Sequence, residues 1–143
     1  MDEMRYNAEG YFDPTTYEAL VKIAREEREA RRAANYRPMV YICSPYAGDV
    51  EENVMKARSY CRFAVVKECI PIAPHLLFPQ FMPEETERSL ALFMGSVLLG
   101  KCEEVWVFGN HISSGMMEEI DRAERMHKKI RRFSVNLEEE ELG

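Results

Sequence analysis

One carboxylate stands where chemistry is easiest to arrange. Glu119 lies four residues beyond Ser113-Ser114-Gly115, in a segment from Met116 to about Lys128 whose apolar spacing is helical. At about 100° per residue, Met116, Ile120, Ala123 and His127 share one face; Glu119 falls at its border and Glu118 points nearly the opposite way. A carboxylate in the first turn of a helix is kept ionised by the positive helix end and its unpaired amides. A nucleophile at neutral pH needs that. The same position also suits a carboxylate that merely complements the dipole. Ser113 and Ser114 are equally two-sided: they cap the helix or, with Gly115, present hydroxyl and amide donors to an anion.

A helix places Glu119 only if a sheet places the helix. Asp13-Pro14 is a helix start, and Tyr17, Leu20, Val21 and Ala24 form a short apolar stripe before the segment turns polar up to about Ala34. Asn35 to Pro38 breaks it, and an apolar strand, Met39 to Cys43, follows. The turn Ser44-Pro45-Tyr46-Ala47-Gly48 leads to a helix capped by Asp49, with Val50, Val54, Ala57, Cys61 and Ala64 as its buried face. Next come a strand at Ile70 to Ala73, an unusually apolar loop from Pro74 to Phe81, and a helix from about Glu84 to Gly100 with Leu90, Phe93, Met94, Val97 and Leu98 inward. Strand Glu104 to Phe108, the glycine-bearing loop Gly109 to Gly115, the Glu119 helix and a last strand from Ile130 to Val135 complete the series.

This alternation predicts an α/β fold: a three-layer, flavodoxin- or Rossmann-like parallel sheet of four to five strands with helices on both faces and the Met39 to Cys43 strand central. The expected division is an N-terminal helical extension (1–37), the α/β domain (38–136) and an acidic tail (137–143) that frays. Ligands of such sheets bind beyond the carboxyl ends of the strands, where Ser44 to Asp49, Pro74 to Phe81 and Gly109 to Glu119 converge.

Other classes are set aside by what the 143 residues lack. There is no GxGxxG and no GxxxxGK[ST], so neither a dinucleotide nor a P-loop site is read, and no cofactor is expected. Cys43, Cys61, Cys69 and Cys102 show no CxxC pairing and sit among apolar residues, which reads as reduced thiols; the spacing of His75, His111 and His127 suggests no metal either. A net charge of −6 opposes nucleic-acid binding, and Arg25, Arg28, Arg31 and Arg32 are interleaved with Glu26, Glu27 and Glu29 as on a solvated helix. No apolar run reaches bilayer length, and the first residues lack a secretory layout, so no membrane partner and a cytoplasmic location are expected.

Tyr41-Ile42-Cys43-Ser44-Pro45 with its Gly48-bearing turn, Val105-Trp106-Val107-Phe108, and Ser113-x-Gly115 with Glu119 and Ala123 four and eight positions beyond the glycine resemble the nucleoside 2-deoxyribosyltransferase superfamily. More closely they resemble its DUF4406-like branch, over roughly Met39 to Phe133. The resemblance implies that Glu119 is the nucleophile at a sugar's anomeric carbon, that Tyr41 hydrogen-bonds to it, and that Ser113 to Gly115 approaches sugar or phosphate. Where active transferases carry an aspartate just before the motif glycine, this chain has His111, Ile112, Ser113 and Ser114. In the apolar loop, His75 and Gln80 could meet a base, with Phe78 or Phe81 as a stacking surface, while Arg88 suits either a phosphate or a salt bridge with Glu84 or Glu85. The expected ligand is a nucleoside or nucleotide, handled by an N-glycosidic hydrolase or transferase or bound by a noncatalytic sensor module. The same resemblance implies a homodimer or larger homo-oligomer; Ser44, Pro45, Tyr46, Gly48 and Gly109 complete the expected binding loops.

Overall fold

The computed structural model describes residues 14–141, in two compact units divided after Tyr36. The first contains α1 (Pro14–Ala34), with Arg31 and Arg32 in its last turn where the helix dipole favours cations. The expected cap, Asp13, lies outside the described residues.

The second unit runs β1 (Met39–Cys43), α2 (Val50–Val66), β2 (Ile70–Ile72), α3 (Pro74–Leu77), a 3₁₀ turn (Phe78–Gln80), α4 (Glu84–Lys101), β3 (Glu104–Phe108), α5 (Ser114–Arg125), β4 (Lys129–Phe133) and β5 (Glu139–Glu140). The apolar segment after β2, expected as a loop, is therefore helical. The strands form one sheet in the order β2-β1-β3-β4-β5, parallel except for the last pair. β1 has a neighbour on each side, but the middle strand is β3, a correction to the expected order. The chain leaves β1 toward β2 and returns across it to β3, so the sheet has its switch point between β1 and β3.

Strand alternation sorts the core onto two faces. Tyr41, Cys43, Val105 and Val107 pack with Leu99, Cys102, Met116 and Ala123, from α4, the residue that ends it, and α5. Val40, Ile42, Trp106 and Phe108 pack with Tyr60 and Ala64 of α2 and with Phe133. In α2, Asp49 accepts the Glu52 amide at 3.2 Å, while Val50 is exposed and Tyr60 takes a buried place. In α4 the buried line is Gly95 and Leu99, spaced four apart; Leu90, Phe93 and Val97, expected inward, are exposed. All four cysteines are free thiols, Cys43 and Cys102 fully buried.

Two helices end on a residue other than glycine in the left-handed region, Glu68 (φ 63°) after α2 and His127 (φ 57°) after α5. Each closes a six-residue cap, with the Cys69 amide donating to the Ala64 carbonyl and the Lys128 amide to the Ala123 carbonyl. His127 is thus an exposed cap residue and not part of the buried face of α5. The acidic tail also differs from expectation: Glu139 takes a bidentate grip from Arg131, at 2.6 and 2.9 Å, and β5 pairs antiparallel with β4. Among the described residues no helix is long and apolar enough to cross a membrane, and no group of three His, Cys, Asp or Glu could hold a metal ion.

Candidate active site

Helix α5 is phased by its cap and its core side chains. Ser113 starts it, its Oγ accepting the Met116 amide at 3.2 Å, and Met116 and Ala123 are buried against the sheet. Glu119 stands in the second turn, a correction to the expected first, because the helix begins at Ser114; three residues beyond Met116, it lies at the edge of the buried face in the cavity that Tyr41 also lines, while Glu118 is exposed. Tyr41 and Cys43 stand two apart and so share one face of β1.

Tyr41 and Cys43 act on the Glu119 carboxyl as donors, though the hydrogen bond the thiol itself makes is to the Met116 carbonyl oxygen, at 3.8 Å. Even so, Glu119 Oε2 is buried with no hydrogen-bond partner among the described residues. Burial pushes the Glu119 carboxyl up to about 7, against the two donors and the charge of Arg122, which pull it down; Glu118 adds a small upward push. Burial first, and then the Glu119 charge, raises both the Tyr41 hydroxyl and the Cys43 thiol, so each remains a protonated donor.

A cavity of about 220 Å³ opens against this group. Ser44, Tyr46 and Ala47 line it from the β1 loop; Pro74, His75, Phe78 and Pro79 from the helical segment after β2; Ser113, Ser114 and Gly115 from the start of α5. The α4 side supplies Arg88, Leu92 and Gly95; a Cβ added at Gly95 would stand 3.8 Å from the Tyr41 hydroxyl, so α4 passes close over that ring. His75 Nε2 lies 3.3 Å from Ser44 Oγ and its ring 5.7 Å from that of Tyr46. Burial pushes the His75 imidazole down to about 4, so it is neutral at neutral pH.

The structure thus gathers Tyr41, Ser44, Tyr46, His75, Arg88, Ser113, Ser114, Gly115 and Glu119 around one cavity. Pro45 and Gly109 border a second, smaller crevice of about 110 Å³ on the other side of Ser44. Gly48 and Gln80 line neither. Gly48, at φ 97°, holds the turn before α2, and the Gln80 amide folds back onto the Leu76 carbonyl. Phe78 lines the cavity, while Phe81 is exposed and meets it edge to face. Arg88 is paired with Glu84 at 3.3 Å. Two residues escaped the sequence analysis, Cys43 and Arg122. Strand alternation from Tyr41 would have found the first, and the three-residue helical step from Glu119 the second.

In solved structures this architecture recurs among deoxyribosyltransferases. A 2-desoxiribosyltransferase from Leishmania mexicana superposes with a TM-score of 0.55 at 13% identity, over 74% of this chain and 80% of that one. A 2-deoxyribosyltransferase from the psychrotolerant bacterium Bacillus psychrosaccharolyticus gives 0.52 at 16% identity, over 67% and 72%. The fold is therefore the deoxyribosyltransferase fold. By sequence, no curated protein matches the chain. Residues 38–133 match the family model described as a domain of unknown function, DUF7768, and the chain belongs to that family.

Proposed function

We propose that this chain is an N-glycosidase or deoxyribosyltransferase-like enzyme acting on a nucleoside or nucleotide, with Glu119 as nucleophile. The observation that carries the reading is a buried carboxyl at the wall of a cavity, with one oxygen unpartnered and its acidity set close to neutral. A carboxylate that only complements a helix dipole gains nothing from such burial, whereas a nucleophile gains both reactivity and a dry site. In the first step the ionised Glu119 oxygen attacks the anomeric carbon as the C–N bond breaks; the base leaves with the electron pair and takes a proton from solvent, which the attacking water or base gives back in the second step. In the second, water or another base attacks the same carbon and releases Glu119. Tyr41, held protonated, steadies the carboxylate; Ser113 to Gly115 and His75 border the space for sugar and base. Kinship with the DUF4406-like branch is part of the proposal, supported by Ser113-x-Gly115-x-x-x-Glu119 followed by Ala123.

The test is incubation with a panel of nucleosides, nucleotides and NAD while free base is followed by chromatography. Release of base from at least one is expected. If none is released while binding is detected, the site belongs to a noncatalytic nucleotide-binding module. We further propose a homodimer or larger assembly. Support comes from Leu90, Phe93 and Val97, spaced along one side of α4 and 48, 64 and 43% exposed. Light scattering at tens of micromolar that gave a monomer mass would refute it.

A further inference from the structure

The smaller crevice beyond Ser44 has no part in the reaction proposed for Glu119, and its lining has a different chemistry. It holds about 110 Å³ between the carboxyl ends of β1 and β3 and the side of α2, so it flanks the same switch point as the large cavity. Its floor is packed core. Tyr60 is 4% exposed and stacks on Phe108 with ring centres 4.2 Å apart, and Ser44 is 5% exposed. The hydroxyl at the end of the Tyr60 ring has no hydrogen-bond partner among the described residues, yet it is not shut off from solvent. It reaches out of the core into the crevice that Tyr60 lines. A ring held this deep, with its polar end left open, presents a donor at a fixed point.

The charge around that donor has one sign. Lys56, one turn before Tyr60 on α2, brings an ammonium whose pair with Glu52, at 3.2 Å, is half exposed on both sides and so weakly held. Asn110 and His111 bring an amide and an imidazole from the loop after β3. Arg132, one residue before Phe133 on β4 and so on the sheet's other face, donates to the Gly109 carbonyl oxygen at 3.4 Å and adds a cation behind that wall. Asn53 is committed to the wall itself, its amide nitrogen holding the Tyr46 and Ala47 carbonyls at 3.1 and 3.0 Å. Among the described residues no carboxylate lines the crevice, whereas Glu84, Glu87 and Glu119 all line the large cavity. The space is also too small for a nucleoside, since ligands of that size take clefts of roughly 300 Å³ or more. We propose that the crevice is a second binding site, for a small oxyanion of the phosphate class, received by the Tyr60 hydroxyl and the Lys56 ammonium with Asn110 and His111 at its mouth. Charge-assisted hydrogen bonds of this kind hold an anion where a neutral lining would not. The phosphate is a free ion or the end of a nucleotide, and the same donors serve both. The site stands on its own lining and does not rest on the function proposed above.

The experiment titrates the whole ¹⁵N-labelled chain with inorganic phosphate and, separately, with adenosine 5′-monophosphate, each against chloride at matched ionic strength, while backbone amides are followed by NMR. Saturable shifts at Tyr60 and from Gly109 to His111 are expected. Inorganic phosphate produces them if the site takes a free ion, and the nucleotide alone produces them if it takes the end of a larger ligand. Tyr60→Phe keeps the ring and its stack and removes only the hydroxyl, so it should weaken binding at least about fivefold; Lys56→Gln should weaken it at least about threefold. If Tyr60→Phe does not fold, Lys56→Gln carries the comparison. The proposal is overturned if neither ligand shifts those amides, if saturable shifts gather only around Ser113 to Gly115, or if the folded variants bind like the wild type. Base release from a nucleoside, or its absence, bears on Glu119 alone and leaves this result standing.

Discussion

The two faces of the sheet use the same strands and treat polar groups in opposite ways. Under α2, Tyr60 stacks on Phe108 at 4.2 Å, Phe108 on Phe133 at 5.2 Å, and Phe63 closes edge to face against Phe108 and Phe133. Among the described residues, no buried side-chain nitrogen or oxygen on that face lacks a partner. Trp106 Nε1 donates to Glu104 at 2.9 Å, and Arg131 lies over the Trp106 and Phe133 rings while gripping Glu139. Under α4 and α5, side chains are smaller, and a carboxyl is buried with one oxygen unsatisfied. Such a group costs stability. A fold tolerates that cost most readily at a working site, and the aromatic face supplies the stability that offsets it.

The contrast can be broken most sharply at Glu119. Glu119→Gln should lower base release at least about a thousandfold, because it removes the reaction's covalent route, whereas Glu118→Gln, on the solvated side, should leave the rate within about twofold. Similar losses in both variants would mean that the helix is phased otherwise. On the aromatic face the largest effect is on folding: Trp106→Ala should lower stability by about 3–5 kcal/mol in urea unfolding. A loss as small as that of a surface substitution would deny this face its role.

A finer comparison uses pH. The Glu119 carboxyl titrates near 7 when folded and near 4.5 when unfolded, so its folded form holds the proton more tightly. Its contribution is complete below about pH 4.5 and is lost as pH rises through 7, on the order of 3 kcal/mol in all. His75 has the opposite sign: its contribution is present above 6.5 and is lost as pH falls toward 4. The difference between Glu119→Gln and wild type isolates the first group, since both proteins keep His75. The amide variant should gain on the wild type from pH 5 to 8, and parallel stability curves would contradict the burial argument. The smallest effect belongs to Glu139→Gln, which loosens the grip of Arg131 on an exposed edge and should cost about 1 kcal/mol or less.

The same contrast marks what could be seen in the sequence. The order of strands and helices, and the three loops that meet at the cavity, follow from apolar periodicity broken by Pro, Gly and Asp. The phase of α4 does not. Leu90, Leu92, Phe93, Met94, Val97, Leu98 and Leu99 surround the helix, so no single face stands out, and it is the fit of Gly95 beside Tyr41 and Pro74 that turns it. Helix ends at Glu68 and His127 were hidden because left-handed caps are usually sought at glycine or asparagine. β5 was hidden because Glu139 and Glu140 stand in an acidic run that reads as solvated tail, and the Arg131 that grips Glu139 lies eight residues away. At the site, Glu119 stood out by its helical spacing and Tyr41 only through the family resemblance, while the depth of Glu119 comes from packing between α5 and the sheet.

The central claim is that Glu119 forms a bond to the sugar. The most direct measurement is mass spectrometry of the protein quenched in acid during turnover of whichever substrate of the panel releases base, followed by mapping of the peptide that carries Glu119. A glycosyl mass on that peptide, absent from Glu119→Gln, is the predicted result. Base release at the wild-type rate by Glu119→Gln, or an adduct mapped to another residue, would contradict it.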